Sequence, residues 1–250
     1  METSNDLKLA VLIDADNVPY ANVKGMLEEI AKYGTPTFKR IYGDFTKPNL
    51  SGWKNVLLDN AITPIQQYAY TTGKNATDSA LIIDAMDILY TGNVDGFCII
   101  SSDSDFTRLA TRLREAGKKV FGMGEKKTPS AFIASCNKFI YIEILQSELK
   151  EADTVRAVKR SGKSKESLVD KATLNMIKLI KDSVNDLSDE DGWVFLGVLG
   201  NLILKKQPDF DARNFGHKKL LDLIRTIPGI EIDERPTGKN NISHFYVRTK

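Results

Sequence analysis

Cysteine, histidine and uninterrupted apolar sequence are what this chain has least of. Its 250 residues include 2 cysteines and 2 histidines. Two thiols cannot build a disulfide framework, and Cys98 lies inside an apolar run, so a reducing, cytoplasmic setting is expected. His217 and His244 stand far along the chain from Cys98 and Cys136, which excludes zinc-ligand spacing. No apolar run approaches the ~18 residues of a membrane span, and residues 1–8 hold no signal-peptide core; no membrane association is expected. Net charge is scarce too, at +2. Residues 1–150 carry 17 basic and 18 acidic side chains, and residues 151–250 carry 18 and 15, so bulk charge does not announce nucleic acid.

What the chain does have is apolar runs that end in acids. Phe97-Cys98-Ile99-Ile100 reads as a buried strand of a parallel sheet, followed by Ser101-Ser102-Asp103-Ser104-Asp105 and then a helical pattern through Phe106, Leu109, Ala110 and Leu113. Asp103 and Asp105 therefore stand where a strand hands over to a helix, the edge at which open α/β sheets bind ligands. The plainer alternative is a capping box from Ser102 to Asp105. Residues 8–13 form a second such run, ending in Asp14-Ala15-Asp16-Asn17. Strands are also expected over 35–45, 61–70, 118–123 and 139–142. Helices are expected from Pro19 to about Tyr33, over 53–60 and over 76–90, with Gly34 stopping the first. Alternating strands and helices imply right-handed βαβ units and a mostly parallel sheet covered on both faces.

From about residue 149 the composition turns basic and Ser/Gly-rich, the character of a solvated linker. Beyond it come a helix over 168–184, a second over 194–204, a third over 214–227, and two strands, 230–233 and 244–247, joined by a Pro-Gly-Asn turn. Three helices and a hairpin in that order suggest a winged helix. The expected division is 1–148, a linker at 149–166, and 167–250.

Asp78 opens the third helix of the first part. If the strands ending at Asp14 and Ile100 are neighbours, Asp14, Asp78, Asp103 and Asp105 converge. Two carboxylates ~4 Å apart repel by roughly 4 kcal/mol at an effective dielectric near 20, so such a cluster calls for a cation. Mg²⁺ or Mn²⁺ suits oxygen donors, and can activate water and neutralise a phosphoryl oxygen. Lys47, Lys74, Lys126 and Lys127 fall on loops around the same edge, an arrangement suited to a phosphodiester; exposed loops also carry lysine for solubility. Tyr70 and Trp53 are candidates for stacking on bases, or else core aromatics. Asn17 is a candidate for orienting water or phosphate, or an N-cap. Asp84 lies about 240° round the helix from Asp78 and so suits a structural pairing instead. In the second part, Arg213, Lys218, Lys219 and Lys239 are candidate phosphate contacts, or a solvated basic face.

Ile13-Asp14-Ala15-Asp16-Asn17, Lys74-Asn75-Ala76-Thr77-Asp78 and Ser101-Ser102-Asp103-Ser104-Asp105-Phe106 together resemble the NYN domain of the PIN-like nucleases, specifically the LabA-like group, over about residues 7–145. The resemblance implies a three-layer α/β domain with sheet order 3-2-1-4-5 and a Mg²⁺- or Mn²⁺-dependent ribonuclease. Its acidic positions fall on Asp14, Asp78, Asp103 and Asp105, and its polar position on Asn17. The role of Asp16 stays open. Gly192-Trp193-Val194, Phe215-Gly216, Lys219-Leu220 and His244-Phe245-Tyr246-Val247 resemble a LOTUS or OST-HTH winged helix, a small α+β domain, which implies binding of RNA or of a protein partner. RNA, single-stranded, is the expected substrate, and a homodimer is left open. Two other functions stay on the table. One is a non-catalytic RNA-binding scaffold. The other is a haloacid-dehalogenase-like phosphohydrolase with Asp14 as nucleophile, because Asp14-Ala15-Asp16-Asn17-Val18 also fits that motif.

Overall fold

Five residues in a row, Leu9–Ile13, are at most 1% exposed, and the strand they form is the centre of the first unit. A strand this apolar on both faces needs cover on both, which is the condition of a parallel sheet. The computed structural model describes residues 6–68, 76–145, 166–188, 190–236 and 243–250. The chain divides into two compact units, Met1–Arg156 and Ala157–Lys250. The expected linker, except for Glu166, lies outside the described residues.

In the first unit β1 (Lys8–Asp14), β2 (Thr35–Gly43), β3 (Thr63–Gln66), β4 (Gly96–Ile100), β5 (Lys119–Gly124) and β6 (Lys138–Tyr141) form one sheet in the order β3-β2-β1-β4-β5-β6. Every neighbouring pair is parallel. The order implied by the resemblance is thus present, with a sixth strand added at one edge. Leu9, Val11 and Ile13 pack with Met26 and Ile30 of α1 (Val23–Ile30) and Trp53 of α2 (Trp53–Asp59). Ala10 and Leu12 face the opposite layer, with Leu81 and Ala85 of α3 (Ala76–Thr91), Leu109 of α4 (Thr107–Glu115) and Phe132 of α5 (Ser130–Ser135). This alternation sends Asp14 to the α3 side. Each fully buried large side chain contributes about 1.5–3 kcal/mol.

Three local expectations change. The strand expected over 61–70 is only Thr63–Gln66; it is an edge strand, where Pro64 costs no ladder bond. The helix expected from Pro19 begins as a 3₁₀ turn, Tyr20–Asn22, before α1. Gly34 does not end α1 by a left-handed backbone. Its place is steric: a Cβ there would lie 2.2 Å from the Leu7 carbonyl oxygen.

The second unit contains α6 (Glu166–Leu187), β7 (Val194–Phe195), α7 (Leu196–Lys206), α8 (Leu220–Ile224), β8 (Ile230–Pro236) and β9 (Ser243–Thr249). Its antiparallel sheet runs β7-β9-β8. Ile180, Val184, Leu199, Ile203, Ile224 and Val247 are fully buried in its core. Two helix expectations are corrected. Val194 and Phe195 join the sheet instead of opening α7. The helix expected over 214–227 is split, because Gly216 takes φ +80 after a 3₁₀ turn, Ala212–Phe215, and only Leu220–Ile224 is α-helical.

Candidate active site

The carboxyl edge of the sheet brings together what the sequence scatters. Asp14 closes β1, and Ser101 directly follows β4, which pairs with β1. Ser101 is fully buried, and its hydroxyl donates to Asp14 Oδ2 at 2.7 Å. The Asn17 amide donates to the same oxygen at 2.7 Å, and the Asp16 backbone N–H to Oδ1 at 3.1 Å. Asp14 is therefore only 1% exposed, with both oxygens engaged. Burial pushes its pKa up, while the bonds from Ser101, Asn17 and Asp16 pull it back only in part.

Beyond Ser101 the chain turns on its own polar groups. The Asp103 N–H donates to Ser101 Oγ at 3.1 Å. Asp103 Oδ1 accepts from the Asp105 N–H at 2.9 Å, capping the 3₁₀ turn Ser104–Phe106 that leads into α4. The cap is therefore Asp103; the alternative of a capping box from Ser102 does not form, since the Ser102 hydroxyl accepts from the Glu125 N–H at 2.9 Å. Asp78 enters from the first turn of α3.

Asp78, Asp103 and Asp105 each offer a carboxylate oxygen, and these oxygens all lie within 4.8 Å of one another. Asp14 stands outside that trio but close enough for its charge to act on it. The Asp78 carboxyl is pushed up to about 6, first by burial, then by the charges of Asp14, Asp103, Asp105 and Asp16. The donors are hard oxygens, and the thiols of Cys98 and Cys136 are buried in the apolar layers, so the trio fits a hard divalent cation.

The cationic rim is largely tied to local acids. Lys47 Nζ lies 3.9 Å from Asp16, and Lys127 Nζ lies 2.6 Å from Glu125. Lys126 is exposed, its backbone N–H bonded to Glu143 at 2.9 Å. Lys74 and Tyr70 lie outside the described residues. Trp53 is 1% exposed and belongs to the core, which removes it as a stacking surface. Asp84 accepts from Arg40 and Tyr42 of β2, the structural pairing its helical position suggests.

In the second unit Arg213 is half-buried, held by Asp211 through Nε at 3.0 Å and Nη2 at 2.8 Å. Lys218 and Lys219 are exposed ahead of α8, and Lys239 lies outside the described residues.

Three features escape sequence reading, although several of their residues enter it in other roles. Ser101 is one; a small hydroxyl closing an apolar run is its only signal. The second is a cavity of about 420 Å³ whose walls include Asp16, Asn17, Tyr20, Asn49 and Trp53. The third is a ladder of rings and guanidinium groups on the outer face of the second sheet. Arg235 lies 4.2 Å over Tyr246 and 5.6 Å over Trp193, Arg248 lies 4.7 Å over Trp193, and Phe195 packs on Tyr246 and His244. The i, i+2, i+4 spacing of His244, Tyr246 and Arg248 was its signal.

The family model of the NYN domain matches residues 8–143, and that of the OST-HTH/LOTUS domain matches residues 168–242. No curated protein matches the chain. Among solved structures, a protein of unknown function from Vibrio parahaemolyticus aligns at 20% identity, over 57% of this chain and 96% of its own, with a TM-score of 0.46. An uncharacterized protein from Nitrosomonas europaea aligns at 28% identity, over 38% of this chain and 82% of its own, with a TM-score of 0.27.

Proposed function

The chain belongs to the NYN domain family and carries an OST-HTH/LOTUS domain behind it, and from that premise we propose that it is a metal-dependent ribonuclease acting on single-stranded RNA. The observation that carries the proposal is the convergence of Asp78, Asp103 and Asp105, with oxygens within 4.8 Å of one another. These three residues would hold Mg²⁺ or Mn²⁺. When bound, such an ion supplies Lewis-acid chemistry, favouring ionisation of water and offsetting charge on a phosphodiester.

The chain's own side chains do the rest. Asp14 holds the Asn17 amide by a 2.7 Å bond, which leaves the Asn17 side-chain carbonyl to orient the attacking water. Asp105 is the exposed member of the trio and is suited to take the proton of that water. The water oxygen bonds to phosphorus as the bond from phosphorus to the leaving ester oxygen breaks. Asp14, buried and with both oxygens engaged, is poorly suited to attack phosphorus itself. That disfavours an aspartyl-phosphate route. The OST-HTH/LOTUS unit recruits the RNA, and the two buried free thiols support a cytoplasmic setting.

The test is cleavage of a fluorescent single-stranded RNA by the intact chain in EDTA, Mg²⁺, Mn²⁺ and Co²⁺. We expect ion-dependent cleavage that falls at least ~100-fold in Asp103→Asn. Cleavage by Asp103→Asn at the parent rate, or RNA binding without cleavage in all three ions, would sink the proposal.

A further inference from the structure

The cavity lies near the acids without being lined by the trio itself: Asp16, whose charge acts on Asp78, stands on its wall. Asp16 and Asn17, two and three residues past Asp14, line it, and Asn17 is hydrogen-bonded to Asp14. Its other walls come from the segments after β2 and β5, so it lies at the carboxyl edge of the sheet, as the trio does. The volume, about 420 Å³, lies in the range of small-molecule sites.

The lining chemistry selects the occupant. Ala15, Val18, Leu50 and Trp53 supply apolar surface, and Asn17 and Asn49 supply amides. The two carboxylates on the wall, Asp16 and Glu125, repel a phosphate, and each already has a lysine beside it. The cavity therefore suits a flat, neutral group with hydrogen-bonding edges. Tyr20 adds a stacking surface. It is 47% exposed, yet it is not loose. Trp53 meets it edge-on at 6.5 Å, and Gly52 lies so close that a Cβ there would come within 2.5 Å of the ring. A ring packed on one side and open on the other loses little entropy when a base stacks on it.

We propose that this cavity is a nucleobase subsite, taking a base of the RNA strand next to the phosphodiester bound at Asp78, Asp103 and Asp105, stacked on Tyr20. The assignment rests on the ribonuclease reading, and it adds a substrate contact to it.

The experiment uses the intact chain and a fluorescein-labelled 12-nucleotide single-stranded RNA carrying one 2-aminopurine, walked along the strand. Binding is read by anisotropy and stacking by 2-aminopurine quenching, both in EDTA, where no cleavage is needed. Tyr20→Ala is expected to weaken binding roughly 5- to 100-fold and to abolish the quench. Tyr20→Phe, which keeps the ring, retains both, and Gly52→Ala, which displaces the ring, loses the quench. Parent-like affinity and quench in Tyr20→Ala would overturn the subsite, as would a parent protein that binds RNA without quenching at any position. The cleavage assay of Asp103→Asn, run alongside, reports on the acidic site alone, so failure there leaves the quench result readable.

Discussion

Asp103→Asn should make the metal-free protein more stable while disabling the site. The side chain belongs to a trio whose oxygens lie within 4.8 Å of one another. At that separation a pair of unit charges repels by about 1 kcal/mol in water and about 3.5 kcal/mol at an effective dielectric of 20. Asp78 and Asp103 are half-buried and Asp105 is exposed, so solvent screening holds the relief near the lower figure, at about 1–2 kcal/mol for the two pairs removed. Asparagine keeps the oxygen that accepts from the Asp105 N–H, so the cap of the following turn survives. The unfolding midpoint of the first unit in EDTA should rise by roughly 2–6 °C. In Mn²⁺ the order reverses. A cation at 100 times its Kd stabilises the parent by about 2.7 kcal/mol, and the variant, short of one charged donor, gains little. Differential scanning calorimetry of both proteins at pH 8, with EDTA and then with Mn²⁺, checks this. An Asp103→Asn protein no more stable than the parent in EDTA, or one that gains as much from Mn²⁺, would refute the reasoning.

Three further outcomes follow from the same geometry. Asp78 titrates near 6 when folded and near 3.9 when unfolded, so in EDTA its share of stability is full below about pH 4 and is lost as pH rises through 6. Cation binding runs the other way, because the proton competes for the same oxygen: calorimetric titration should show Mn²⁺ affinity falling as pH drops below about 6, and a flat profile would contradict it. Asp84→Ala leaves Arg40 and Tyr42 without their acceptor and should cost the first unit about 2–3 kcal/mol in urea unfolding; a cost below about 0.5 kcal/mol would mean the pairing contributes nothing net. Arg235→Ala removes an exposed guanidinium from between Trp193 and Tyr246 and should weaken RNA binding by the intact chain roughly 3- to 10-fold, with the unfolding midpoint unchanged; unaltered affinity would take the ladder out of RNA recognition.

What was legible along the chain was whatever depends on local pattern. Apolar runs that end in acids mark the ends of β1 and β4, and because these strands are neighbours Asp14 lies near Asp103 and Asp105, while Asp78 joins the latter two from the start of α3. What was not legible depends on direction. Asp14 directly follows an apolar run, yet strand alternation aligns it with Ala10 and Leu12, where Ser101 and Asn17 enclose it. The closest oxygens instead belong to a helix start and a capped turn. Likewise the ladder of Trp193, Arg235 and Tyr246 depends on the register between β8 and β9, which pairs Asp233 with Tyr246 and Arg235 with His244 and which neither strand's own pattern states. The Tyr20 cavity draws on three separate loops, so no single window of sequence contains it.

Like charges at this spacing persist only if the backbone beneath them is held, and Asp14, Asp78 and Asp103 each have an anchor outside the trio. Asp103 is held between the Ser101 hydroxyl and the Asp105 N–H. Asp78 rides on a helix that Asp84 ties to Arg40 and Tyr42 of β2. Asp14 is fixed from three sides. The repulsion is therefore carried by hydrogen bonds that do not involve the oxygens a cation would take from Asp78. A cation arriving at such a site has little chain to order and can spend its interaction on the oxygens. This is why Asp84, remote from the chemistry, should matter: with its pairing removed, α3 is freer to carry Asp78 away from Asp103, and cation affinity should fall along with stability.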